Sequence, residues 1–161
     1  MMPVVIHKHW FGRFLIVFRG LVMATAFLTL SLLANSLDPT TRNLDLAILV
    51  VGDVATLVVS AIALYVYDQN AIVIRPDRLE FHNQYSLLGS RSSECAIWEV
   101  QDVSYSQVGL FPALIGYATL IVQTAGTQEK FTFSYTPKPE WIKDYIENLE
   151  KAPSQYYSTT F

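Results

Sequence analysis

A single cysteine, Cys95, stands in 161 residues. No internal disulfide can staple such a chain, and a reducing compartment suits it. Glycine is sparse at seven residues, and none of them builds a phosphate-cradling loop. H-E-x-x-H, paired C-x-x-C and G-x-S-x-G are also missing, so the hydrolase, zinc and nucleotide classes that depend on those spacings find no support. Charge is scarce as well, 16% against roughly a quarter in an ordinary soluble domain. His7 and His9 are spaced as metal ligands but have no Cys, Asp or Glu beside them, and read as an interfacial flank. His82 beside Glu80 reads as an exposed strand position, and Cys95 as a small buried hydrophobe. No catalytic, cofactor-binding or metal-binding residue is nominated.

Apolar residues are abundant instead, at 52% with a mean hydropathy of +0.30. Leu46–Tyr67 is an apolar run broken by one charge, Asp53. At roughly 22 residues and about 1.5 Å each it spans about 33 Å as a helix, enough to cross a bilayer core. Phe14–Ala34 is a second such run with Arg19 near its start, close enough for the side chain to snorkel toward headgroups. The Ala34-Asn35-Ser36 sequence loosely imitates a signal cleavage site, but the apolar stretch is long for that and a second span follows, so the first span is expected to be retained. Lys8 and Arg13, with Trp10, precede the hairpin; Arg75, Arg78 and Arg91 follow it; the connection Asn35–Asp45, with its Asp38-Pro39 turn, holds one base and two acids. The positive-inside bias then places both termini in the cytoplasm and the short connection outside. Asp53 and Arg19 are the polar residues of the spans, and their positions put their backbones about 12 Å apart along the normal. A helix–helix contact, between subunits and with Gly52 alongside, is the preferred reading of Asp53; an ion or proton pathway is the other.

From Ala71 the period changes to two. Ala71–Ile74 and Leu79–His82 flank a turn at Arg75-Pro76-Asp77-Arg78, followed by a loop at Asn83–Arg91. Strands are expected at Glu94–Trp98, Val103–Val108, Gly116–Thr124 and Lys130–Tyr135, the last two joined by Ala125-Gly126-Thr127-Gln128. Pro139 opens an amphipathic helix with Trp141, Ile142, Tyr145, Ile146 and Leu149 on one face. Ala152–Phe161 has no usable period.

The stretch Val108–Gly116 (VGLFPALIG) is a connection without a charge. Connections are usually polar, and a small barrel has no room for all of Leu110, Phe111, Leu114 and Ile115, so these four are the candidate interaction residues. Contact with a neighbouring copy is expected there, and docking on the bilayer is the other outcome.

The order of these pieces resembles the membrane-anchored bacterial pleckstrin-homology-like proteins, small chains with two spans and one domain. The resemblance rests on the two spans, the strand hairpin Ile72–Phe81, the series Ile97, Val100, Val103, then Gly116-Tyr117-Ala118-Thr119-Leu120 leading to Thr124-Ala125-Gly126, Phe131 and Phe133, and the helix entered through a proline. It implies a membrane α-helical hairpin plus an all-β PH-like split barrel of about seven antiparallel strands, capped by the C-terminal α-helix, and a role in binding or assembly. The divisions are 1–68 for the flank and hairpin (spans about 14–34 and 46–67), 69–150 for the domain and 151–161 for the tail. Eukaryotic relatives of this fold often grip inositol phosphates through a basic loop. Here seven Lys and Arg face ten Asp and Glu from Gln69 on, a net −3, so neither an inositol-phosphate headgroup nor nucleic acid is expected as a partner. The reading is a non-enzymatic scaffold in the bacterial cytoplasmic membrane, multi-pass, self-assembling and contacting a further membrane protein not identified by the sequence. The alternative is an accessory subunit of a transporter or channel with Asp53 and Arg19 in its pathway.

Overall fold

A computed structural model describes residues 3–37, 40, 42–125 and 130–151. The Asp38-Pro39 turn, the joint at Gly126-Thr127-Gln128 and the tail from Ala152 lie outside them. Two compact units are present: Gly12–Tyr67, and a unit built from both ends of the chain, up to Phe11 and from Asp68 on.

The first unit is helical. α1 (Trp10–Leu37) and α2 (Arg42–Asp68) have 28 and 27 residues, about 40 Å each by rise. They pack antiparallel along a seam in which Gly12 faces Tyr67, Gly20 faces Ser60 and Gly52 faces Phe27. A Cβ on Gly20 would lie 2.6 Å from Ser60 Oγ, so at each of these glycines the facing side chain occupies the space that a Cβ would need. No residue in the most apolar stretch of either helix is buried. The hydroxyls return to their own helices: Thr25 donates to Val22 O at 2.9 Å, Thr29 to Ala26 O at 3.0 Å and Thr56 to Gly52 O at 2.8 Å.

The second unit holds seven strands among the described residues. β1 (Val4–His7), β2 (Ala71–Ile74), β3 (Arg78–Gln84) and β4 (Ser90–Ala96) form one antiparallel sheet in that order; β5 (Val100–Ser106), β6 (Tyr117–Thr124) and β7 (Lys130–Pro137) form the other. The core lies between them, with Ile72, Leu79 and Val122 fully buried, and α4 (Pro139–Lys151) closes it with Ile142 and Ile146. This is the split barrel with a capping helix that the resemblance implies. Trp141 departs from the expected buried stripe: it is half exposed and stacks on Tyr145 at 5.3 Å.

β1 is the element that periodicity did not find. Read as a flank, Val4–His7 instead pairs with β2 through Val4↔Ile74 and Ile6↔Ile72, burying Ile6 and leaving Val5 and His7 outward. Four residues beside an apolar span carry too short an alternation to stand out, and only the partner strand makes Ile6 a core position. The helices are therefore inserted between two neighbouring strands of one sheet. Other boundaries move too. β3 and β4 extend into the expected loop and leave a turn at Tyr85–Gly89. Ile97 and Trp98, expected to end a strand, instead belong with Glu99 to a one-turn 3-10 helix, because Ile97 N donates to Asp77 O at 3.0 Å and its side chain turns into the core.

Candidate functional site

Several features outside the core gather around His9, between β1 and the first turn of α1. His9, before α1, accepts a hydrogen bond from Phe11 N on Nδ1 at 3.2 Å, capping the helix start. Its own backbone N donates to Tyr135 O at 2.6 Å. Burial lowers the His9 pKa, in keeping with a ring nitrogen that serves as an acceptor. Lys8 was read as an interfacial cation, but its ammonium lies 5.6 Å from the centre of the Phe133 ring, and burial lowers its pKa as well.

Around His9 runs a chain of aromatic stacks. Tyr117 stacks on His9 at 5.6 Å, on Phe11 at 5.4 Å and on Tyr135 at 5.2 Å; Phe111 stacks on Phe11 at 5.9 Å. Tyr135 holds a left-handed backbone, φ 59°, where the pairing of β6 with β7 shifts between Ala118 and Leu120. A non-glycine residue in that conformation costs about 1 kcal/mol or more, and here it turns the ring into the stack.

Of the four interaction candidates, all lie on α3 (Leu110–Ile115), a short helix in the stretch read as a connection. Glycines make it possible: Gly109 has φ 109° and Gly116, at φ 80°, donates to Pro112 O at 2.9 Å. Gln107 Nε2 donates to the same carbonyl at 2.7 Å. Leu110, Phe111 and Leu114 are 70%, 60% and 73% exposed, whereas Ile115 is half-buried. A second exposed apolar cluster went unremarked in the sequence. Tyr85, Leu87 and Leu88 occupy the β3–β4 turn, Leu88 wholly exposed. Its signal is local: Tyr85-Ser86-Leu87-Leu88 is a turn without a charge and rich in apolar side chains, as Val108–Gly116 is.

Asn70, 2% exposed, fixes the base of that turn. Its Nδ2 donates to Gln84 O and its Oδ1 accepts from Gln84 N, both at 3.2 Å. Beside the turn a cleft of about 330 Å³ is lined by Asn83, Arg91 and Ser93 on one side and Lys130 and Thr132 on the other. Its floor is Phe81 stacked on Phe131 at 5.0 Å.

Elsewhere the chemistry is modest. His82 lies between Ser92, 3.3 Å from Nδ1, and Glu80, 3.7 Å from Nε2, while Glu80 is paired to Arg75 at 2.7 Å. This polar row runs over β3 and β4 to Arg75, which follows the end of β2. The Cys95 thiol is pushed up to about 11 by burial and then by Glu99, which keeps it protonated and unreactive at neutral pH. Among the described residues no group of three or more His, Cys, Asp or Glu is placed to hold a metal ion.

In the helical unit Arg19 and Asp53 are not brought together. Asp53 is level with Phe27 through Gly52, eight residues along α1 from Arg19, about 12 Å by rise. Asp53 Oδ1 is shielded and has no hydrogen-bond partner among the described residues. Arg19 borders a groove of about 270 Å³ between the helices, with Gly20, Ala55, Thr56 and Ser60.

Among known families, the model of the bacterial PH domain matches residues 15–150, helices and strands together. No curated protein and no solved structure matches the chain.

Proposed function

The chain belongs to the bacterial PH domain family, and we propose that it is a membrane-anchored, non-enzymatic PH-like module that works through protein contacts at the cytoplasmic membrane. The observation that carries this is the insertion of two long apolar helices between β1 and β2, hydrogen-bonded neighbours in one sheet. Their outward faces are apolar and unburied, unlike those of a helix at the heart of a soluble domain. Once such a hairpin spans a bilayer, its two ends must lie on one side and the barrel with them. The charge bias of the flanks makes that side the cytoplasm.

Self-assembly runs through the spans. The groove beside Arg19 offers small residues to a helix of a second copy or of another membrane protein, and the shielded, unpartnered Asp53 Oδ1 is costly in lipid unless a neighbour satisfies it. That same oxygen favours the second reading, an accessory subunit of a transporter or channel. One set of measurements tests both. Native mass spectrometry from nanodiscs is expected to find an oligomer that Ala55→Trp, filling the groove, converts to a folded monomer, while liposomes holding the protein alone conduct nothing. A monomeric wild type overturns self-assembly, and a flux abolished by Asp53→Asn establishes the second reading. Reporter fusions at both termini are expected to be active only in the cytoplasm; a C-terminal fusion active only outside overturns the anchoring scheme.

A further inference from the structure

Building on the membrane anchoring above, we infer that the end of the β unit where both helices attach is itself a lipid-contact surface. In this arrangement the β3–β4 turn and α3 enter the bilayer interface on either side of the helix connections.

Strand register locates the turn. His7 pairs with Ala71, and Ala71 with His82, so the end of β1, the start of β2 and the end of β3 lie together. Asn70 then holds Gln84, and Tyr85–Gly89 continues beyond the point at which the chain returns from α2. Tyr85 N and Ser86 N both donate to Gly89 O, at 3.1 and 3.3 Å, which leaves Leu87 and Leu88 at the tip. α3 is located independently. Phe111 stacks on Phe11, the second residue of α1, and Leu110 and Leu114 extend outward from the same short helix. Trp10, in that first turn of α1, is 58% exposed, an aromatic where the headgroup level is expected.

Two apolar protrusions from unrelated elements thus share one end of the β unit, and what distinguishes that end is the attachment of the spans. A partner protein would have to seat on both protrusions around the helices; a bilayer crossed by those helices meets both without a further binding event. The charges agree. Arg91 stands one pair behind the turn, opposite Asn83 in the register, and Lys130 faces it across the cleft with Ser93 and Thr132 alongside. Two cations and two hydroxyls suit the single phosphate of a phospholipid, not a polyphosphorylated ring.

The test uses the full chain in a Cys95→Ala background, with an environment-sensitive fluorophore on Leu88→Cys, Leu114→Cys, Trp98→Cys or Val51→Cys, one copy per nanodisc. Trp98 follows the end of β4 opposite the turn, and Val51 lies in mid-α2. Expected are blue-shifted emission at Leu88 and Leu114, quenching there by shallow spin-labelled lipid, and aqueous iodide quenching at Trp98. Replacing the zwitterionic lipid by one part anionic lipid is expected to deepen quenching at Leu88, and Arg91→Gln with Lys130→Gln to abolish that gain. Val51 quenched by lipid with Leu88 and Leu114 quenched only by iodide overturns this inference and leaves the anchoring standing. Val51 untouched by lipid overturns both. Blue shifts at Leu88 and Leu114 that need several copies per disc and resist lipid quenching assign the surface to a second copy and overturn it too.

Discussion

At the scale of single residues, His9 is the most instructive position, because one imidazole caps α1, stacks on Tyr117 and sits beside a backbone bond to β7. Its pKa in the folded chain is lowered, so between that value and about 6.5 the unfolded chain binds more protons and stability rises with pH. The denaturant midpoint of the protein in detergent micelles is expected to rise from about pH 5 to about pH 7, and His9→Gln to flatten part of that slope. An identical slope in the variant would show that His9 carries none of it. Cys95 acts with the opposite sign. Its folded value near 11 lies above that of an unfolded thiol, so stability is lost as pH climbs from about 9 toward about 11. At neutral pH its alkylation is expected to require unfolding, and a rate unaffected by denaturant would contradict the buried, protonated thiol.

Among the elements, the β3–β4 turn depends on a residue outside both strands. Asn70 supplies a donor and an acceptor to Gln84 while buried, the role a further strand residue would play. Asn70→Ala leaves both Gln84 backbone groups without those partners, and the expected cost is about 1–3 kcal/mol in chemical unfolding. Asn70→Asp keeps an acceptor for Gln84 N but sets a buried carboxylate oxygen against Gln84 O, so it should be no more stable than Asn70→Ala. Equal stability of all three proteins would mean that the clamp contributes nothing. α4 is more ordinary: Ile146 is fully buried, and Ile146→Ala should cost about 2–5 kcal/mol by the cavity it leaves.

For the whole molecule, the insertion of the hairpin between β1 and β2 couples the two helices to the barrel. Ile6→Asp puts a carboxylate into the core from the edge strand, at a cost of at least about 2 kcal/mol. It is expected to make the barrel protease-sensitive while the hairpin stays in the membrane fraction. A variant as resistant as the wild type would mean that β1 is dispensable to the sheet, and the topological link between hairpin and barrel would lose its force.

Much of this organisation is fixed by local sequence. Two apolar runs of bilayer length, a change to a two-residue period at Ala71 and a proline-led amphipathic helix are properties of neighbours along the chain, and they specified the hairpin, six of the seven strands and the cap. The excess of apolar residues in Val108–Gly116 was equally local, which is why the exposure of Leu110, Phe111 and Leu114 was legible in advance. Tertiary structure decided what depends on partners far apart in sequence. Val4–His7 becomes a strand only because Ala71–Ile74 returns beside it after the helices. Ile97 leaves the strand period because Asp77 O takes its N–H. Lys8 comes to lie over the Phe133 ring because β1 meets β7. Leu88 and Phe111, more than twenty residues apart, come to one end of the β unit because Asn70 holds Gln84 there and Phe11 stacks on Phe111. Hydrophobic period is written along the chain, whereas the identity of the neighbour across a sheet or a stack is set only when distant segments close on one another.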